Sequence, residues 1–223
     1  MAPPPLARQL TRLEALYGVQ ELPPPRSALD WVLWENAAYL VPEEKRRACF
    51  QALKKRAGPS GAGLLRAPRE QLLELARAGG MQPEGRVEKW LAIATTLAER
   101  FDGDLEAVLA RPLAAARTAL KAFPGIGLPG AEKILLFTGR HALFALESNG
   151  LRVVVRLGHA REEQDYARTY RAARLALAPL ETRGPEWLQR AHLLLRRHGQ
   201  ELCKHAAPRC DECPLRESCP AAE

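Results

Sequence analysis

Apolar residues recur at spacings of three and four along almost the whole chain, which commits it to helices and leaves little from which to build a sheet. Segments over about 6–17, 27–40, 42–56, 68–78, 84–101, 105–122 and 129–138 carry this pattern, as do 149–157, 161–178 and 184–198. They are interrupted by "PPP" at Pro23–Pro25, "GPSGAG" at Gly58–Gly63, "GGMQP" at Gly79–Pro83 and "FDGD" at Phe101–Asp104, each rich in residues that stop helices. Only "LRVVVRL", Leu151–Leu157, has strand-like β-branched density, and it is too isolated to propose a sheet. The expected fold class is all-α with a small irregular C-terminal appendix. With 223 residues, 47% of them hydrophobic, there is enough chain to bury one sizeable core or two small ones.

No run of about 18 apolar residues occurs, so no membrane span is expected. The opening "MAPPPLARQL" lacks the apolar core of a signal peptide, so the expected location is the cytoplasm, on the nucleoid if the source is bacterial. A net charge of +7 suits a partner built of phosphates, although a merely basic surface would show the same surplus.

One tight turn interrupts the helical pattern in an informative way. "FPGIGLPGA", Phe123–Ala131, places Leu113, Ala116, Leu120 and Phe123 on one helical face before the turn. Ala131, Ile134, Leu135 and Phe137 follow on the face that packs back after it. Gly125 and Gly127 permit backbone angles other residues resist and let another molecule approach the main chain. The amides of Gly125, Ile126 and Gly127 can then converge on an anion at the positive end of the next helix. Pro129 suits the first helical position. A plain αα-hairpin has the same outline.

Four of the five cysteines lie in "CKHAAPRCDECPLRESC", spaced Cys203-x6-Cys210-x2-Cys213-x5-Cys219. Thiols clustered so closely in a reducing compartment read as a metal site rather than as disulfides. Zinc sites usually pair two C-x-x-C knuckles, and one is present. A cubane cluster accepts more varied spacings, so the spacing leans towards iron–sulfur without settling it. His205 lies inside the first loop, but four cysteines already complete a site. Lys204 and Arg209 on that loop are candidates to touch phosphates, and Cys49 reads as a buried free thiol.

Taken together, the hairpin "FPGIGLPGA" and the C-terminal C-x6-C-x2-C-x5-C resemble the endonuclease III branch of the helix–hairpin–helix DNA glycosylases. "RVEKWLAIATTLAERFDGDL" is similar to the family's helix before the hairpin, and "AHLLLRRHGQELC" to its entry into the cluster loop. The similarity runs from about Ser27 to Cys219. It implies two α-helical lobes with a DNA-binding groove, one over 27–138 and one joining 1–26 to 139–223. It also implies a [4Fe-4S] cluster on Cys203, Cys210, Cys213 and Cys219 with a structural and DNA-binding role. The partner would be double-stranded DNA with a damaged or mispaired base, bound by a monomer.

The chain departs from that pattern where chemistry is done. Bifunctional members carry a lysine at the place of Pro129, and proline has no amine to attack a sugar. Lys133 lies one turn on, roughly on the same helical face, where its amine could substitute; a surface lysine is the preferred reading. The family's aspartate corresponds to Glu147, whose carboxylate suits a cationic sugar and an attacking water; a helix-capping acid beside Ser148 and Asn149 is the other reading. In "LDWVLWENAAYL", Asn36 matches a polar residue that enters the duplex, Glu35 is a candidate second acid, and Trp31, Trp34 and Tyr39 are candidates to stack on an extruded base. The two tryptophans, spaced by three, also suit a core. These residues imply a monofunctional DNA glycosylase, with a catalytically weak or inactive binder of distorted DNA as the alternative.

Overall fold

The computed structural model of the chain describes residues 5–222. Twelve α-helices follow one another in them: α1 (Leu6–Tyr17), α2 (Ala28–Ala37), α3 (Glu43–Ala57), α4 (Ala62–Leu65), α5 (Arg69–Ala78), α6 (Pro83–Phe101), α7 (Leu105–Leu109), α8 (Leu113–Leu120), α9 (Leu128–Phe137), α10 (Ser148–Arg156), α11 (Tyr166–Leu177) and α12 (Pro185–Glu201). Short 3-10 turns cover Ala178–Arg183, Cys210–Glu212 and Arg216–Ser218. There is no strand among the described residues, and "LRVVVRL" is helical within α10 with Val153 and Val154 buried. The all-α expectation holds. No helix among the described residues is long and apolar enough to cross a membrane.

Three local differences from the periodicity have physical causes. The stretch expected as one helix over 105–122 is two, because Pro112 cannot donate into the ladder and becomes the N-terminal flank of α8. The helix expected from 27 to 40 stops at Ala37, where Ala38 turns extended and Tyr39 bridges to Gly80. The Tyr39 amide donates to Gly79 O at 3.1 Å. The helix expected from 161 begins at Tyr166, where the Asp165 carboxylate accepts from the Arg168 amide at 2.8 Å and so supplies the cap.

The chain forms two compact units, Pro23–Arg140 and Met1–Leu22 with His141–Glu223. In the first, Trp90, Phe50 and Phe123 are fully buried among Leu53, Ile93 and Leu97; each such side chain contributes roughly 2 kcal/mol by leaving water. The Trp90 indole also donates to Asn36 O at 3.0 Å, fixing α2 against α6. In the second, Phe144, Tyr170 and Leu13 fill the core, and α10 packs on α12 at Gly199. A Cβ at Gly199 would stand 2.7 Å from Asn149 O, so any larger residue would push the start of α10 away.

Candidate nucleic-acid interface and cysteine loop

In the first unit, α8 and α9 form the helical hairpin around Phe123–Gly127. Ala116, Leu120 and Phe123 face Ala131, Ile134 and Leu135 in the core, and the Arg117 guanidinium pairs with the buried Glu132 carboxylate across the two helices. Gly125 sits at φ +74°, in the left-handed region that side chains resist. Gly127 does not: its φ is −85° and its ψ −175°, so its value lies in lacking a side chain. Pro129 occupies the second helical position rather than the first, because α9 begins at Leu128; its missing N–H still falls among those that no helix satisfies. The Ile126 amide donates to Phe123 O at 3.2 Å to close the turn, and its side chain is buried. Of the three hairpin amides expected to meet an anion, this one already has a carbonyl acceptor within the turn. Among the described residues, no backbone carbonyl accepts from the Gly125 or Gly127 amide.

Asn36 braces this turn from beneath. It is only 7% exposed, and its Nδ2 donates to Val32 O at 3.0 Å and to Pro124 O at 3.1 Å. Its Oδ1 lies 2.9 Å from where a Cβ on Gly125 would be. Asn36 also lines an open cavity with Glu35, Tyr39, Met81, Gln82 and Lys89. Glu35 is held by two cations: Lys133 Nζ lies 2.7 Å from its Oε2, and Arg46 Nη2 lies 3.6 Å from its Oε1. Lys133 is therefore not the surface lysine the sequence suggests, since its side chain is 17% exposed and tied to Glu35. Trp31 and Trp34 are buried. Trp31 packs on Phe137 with ring centroids 4.9 Å apart, and Trp34 lies edge-on to Phe50 at 5.3 Å and beneath the Arg46 guanidinium at 4.3 Å. Both belong to the core. Tyr39 is 64% exposed, unlike the two tryptophans.

In the second unit, Glu147 is the N-cap of α10. Its Oε1 accepts from the Gly150 amide at 2.6 Å and its Oε2 from Asn149 Nδ2 at 2.8 Å. The carboxylate is partly exposed, and its charge joins burial in pushing the Tyr166 phenol up from its ordinary range. A chain of hydrogen bonds leads from it to the cysteine loop. Asn149 Oδ1 accepts from Arg152 Nη2 at 2.9 Å, and Arg152 Nε donates to Cys203 O at 2.9 Å. One turn on, Arg156 Nη1 reaches Cys203 Sγ at 3.5 Å and Lys204 O at 2.7 Å.

Cys203, Cys210, Cys213 and Cys219 line one cavity at the end of this unit, walled by Val153, Leu157 and Leu202. Burial pushes the Cys213 and Cys219 thiols up, and the neighbouring thiols add to it. Donors are already aimed at the sulfurs: Leu215 N at 3.4 Å from Cys213 Sγ, and Arg156 at Cys203. No three His, Cys, Asp or Glu side chains among the described residues converge on a point as one metal ion requires. Lys204 is exposed, whereas Arg209 Nε is paired with Glu212 at 2.7 Å. Cys49, in the first unit, is buried with its thiol donating to Ala37 O at 3.1 Å. His198 was not singled out in the sequence, yet it lies 3.6 Å from Cys213 Sγ through Nε2 and 3.1 Å from the Tyr17 hydroxyl through Nδ1. Burial lowers His198 to about 4 and is the main cause raising Tyr17 to about 12. A lone histidine on a helical face carries no signal of this; only its position five residues before Cys203 hinted at it.

An all-α chain of two units with a glycine-turned helical hairpin and a C-terminal four-cysteine loop has the fold of the helix–hairpin–helix DNA glycosylases. The particular likeness is to endonuclease III. Over 96 residues, 43% of this chain, it is 30% identical to endonuclease III of Rickettsia felis, and over 101 residues, 45% of the chain, 32% identical to that of Rickettsia conorii. These stretches amount to 42% and 45% of the relatives' own sequences, so the chain spans less than half the length of the curated relatives it matches. No protein-family model matches the chain. Among solved structures, it matches an endonuclease III trapped covalently on DNA with a TM-score of 0.75 at 16% identity, covering 97% of this chain and 95% of that one. It matches a thermostable thymine-DNA glycosylase with a TM-score of 0.74 at 13% identity, covering 97% and 94%.

Proposed function

We propose that the chain is a DNA base-excision repair protein, a monofunctional DNA glycosylase that removes a damaged or mispaired base from double-stranded DNA. The observation that carries this is the hairpin. A left-handed glycine and a second, bare glycine leave main-chain N–H groups with no carbonyl acceptor at the start of α9, where a phosphate is favoured. The side-chain inventory then selects the chemistry. Pro129 supplies no amine, and Lys133 is engaged by Glu35, so no Schiff base forms at the hairpin. Instead the C1′–N bond breaks with its electron pair leaving on the base, and a water oxygen bonds to C1′. Glu147 stabilises the positive sugar and takes the water proton. Glu35 is a second acid at the rim of the cavity beside Asn36.

Cys203, Cys210, Cys213 and Cys219 would hold a [4Fe-4S] cluster. A single zinc ion needs four sulfurs within about 2.3 Å of one point; the four cysteines line a cavity, and their spacing supports a cubane, which accepts varied ligand spacings, over zinc. The cluster would supply a rigid, charged anchor that orders the loop bearing Lys204 and Arg209 for phosphate contact. We further infer a monomer acting on chromosomal DNA in the cytoplasm.

One observation favours a second reading, a binder of distorted DNA without catalysis: both Glu147 oxygens are already engaged in capping α10. The two separate on a panel of single-lesion duplexes cleaved with alkali after incubation. Strand breaks on a lesion that disappear in Glu147→Gln support the glycosylase. Tight binding without breaks on any lesion supports the binder.

A further inference from the structure

A hydrogen-bonded line runs from the N-terminal helix into the cysteine cavity within the second unit. The Tyr17 hydroxyl lies 3.1 Å from His198 Nδ1, and His198 Nε2 lies 3.6 Å from Cys213 Sγ. Tyr17 is set in place independently of this contact: the Arg197 guanidinium stacks 4.9 Å over its ring and donates to its carbonyl at 3.0 Å. His198 is 2% exposed, so water does not serve its ring nitrogens. Each nitrogen then depends on the one partner the fold provides. A sulfur that ligates a metal is a thiolate and can only accept, so Nε2 must carry the proton towards Cys213. Nδ1 is left as an acceptor, and the one donor at hand is the Tyr17 O–H. A phenol at this place fixes the tautomer of a histidine it touches, as the partner of the distal nitrogen does for a histidine that binds a metal directly.

We propose that Tyr17 is a positioning residue for the iron–sulfur centre: through His198 it holds an N–H on the Cys213 sulfur and so raises the centre's reduction potential and its retention. This rests on the cluster assignment of the preceding section. The sign follows from charge. Reduction adds negative charge to the cluster and its thiolates, and an N–H dipole aimed at a sulfur stabilises the more negative state. With the hydroxyl removed, nothing opposes the other tautomer, which turns a nitrogen lone pair towards the sulfur. The arrangement could not be found from spacing, because Tyr17 and His198 stand 181 positions apart.

The experiment compares wild type, Tyr17→Phe and a chain with 3-fluorotyrosine placed at position 17, all purified without oxygen. Phenylalanine keeps the ring under Arg197, and fluorotyrosine keeps the shape while making the hydroxyl a stronger donor. Film voltammetry of the iron-loaded proteins reads the potential. Absorbance near ~400 nm during chelator challenge reads cluster loss. The expected result is a lower potential and a loss rate about three to ten times faster in Tyr17→Phe, with the potential moving the opposite way in the fluorotyrosine chain. A wild type without iron sinks the cluster assignment and this inference with it. An iron-loaded wild type whose potential neither replacement moves overturns the inference alone. Should Tyr17→Phe fail to fold, the fluorotyrosine chain decides by itself: an unchanged potential there is the contrary result.

Discussion

Replacing each hairpin glycine by alanine separates folding from DNA contact, because the two positions differ in backbone and surroundings. At Gly125 an alanine must adopt φ +74°, which costs about 1–2 kcal/mol. Its Cβ would also stand 2.9 Å from Asn36 Oδ1. Asn36 is buried and bonded to Val32 O and Pro124 O, so giving way breaks one of those bonds for about 1 kcal/mol more. The sum is roughly 2–3 kcal/mol of lost stability. At Gly127 the backbone is extended, and nothing lies closer than 3.8 Å to an added Cβ; the cost there is under about 1 kcal/mol. Urea unfolding should therefore show Gly125→Ala well below wild type and Gly127→Ala near it. Anisotropy with a labelled abasic duplex should show Gly127→Ala several-fold weaker on every sequence, because the new methyl stands between main chain and phosphate. A Gly125→Ala protein as stable as wild type refutes the strain argument. A Gly127→Ala protein that binds with full affinity refutes the phosphate contact.

Other expectations follow from the same geometry. Asn36→Ala should lose about 1–3 kcal/mol in denaturant titration, because Pro124 O and Val32 O both lose their side-chain donor. Borohydride should trap no covalent adduct on an abasic duplex, and Lys133→Ala should leave that result unchanged; an adduct would reverse the assignment of water as nucleophile. Stability should fall on acidification: burial lowers His159, which is bonded to Gln9, and lowers His198 to about 4. The unfolded chain therefore takes up protons first. The contribution is complete above the ordinary value of 6.5 and lost as pH drops through the lowered ones, and urea midpoints at pH 7, 6 and 5 would record it. Iron analysis of protein purified without oxygen should give four atoms per chain; stoichiometric zinc would show that the cysteine loop holds a different metal.

The helices and the cysteine loop were legible because both are local in sequence. Three-and-four spacing places Ala116, Leu120 and Phe123 on one face whatever they pack against, and seventeen residues contain all four thiols. The boundaries that shifted did so where a single residue outweighed the pattern, as at Pro112 and at the Asp165 cap. What stayed hidden depends on pairs distant in the chain. Lys133 meets Glu35 across 98 positions, and Asn36 meets Pro124 across 88, so neither the engaged lysine nor the braced turn has a periodic signature. The engagement of the Ile126 amide with Phe123 O was equally hidden, because an amide in a turn is as ready to close the turn as to bind an anion. Trp31 and Trp34 read equally well as stacking plates or as core until their burial was seen.

The lesion panel tests the central claim most directly. Each duplex carries one damaged or mispaired base, and alkali after incubation converts any abasic site into a strand break. The proposed chemistry predicts breaks on at least one lesion only after alkali, and none with Glu147→Gln. Breaks without alkali, or none on any lesion that the protein binds, would contradict it.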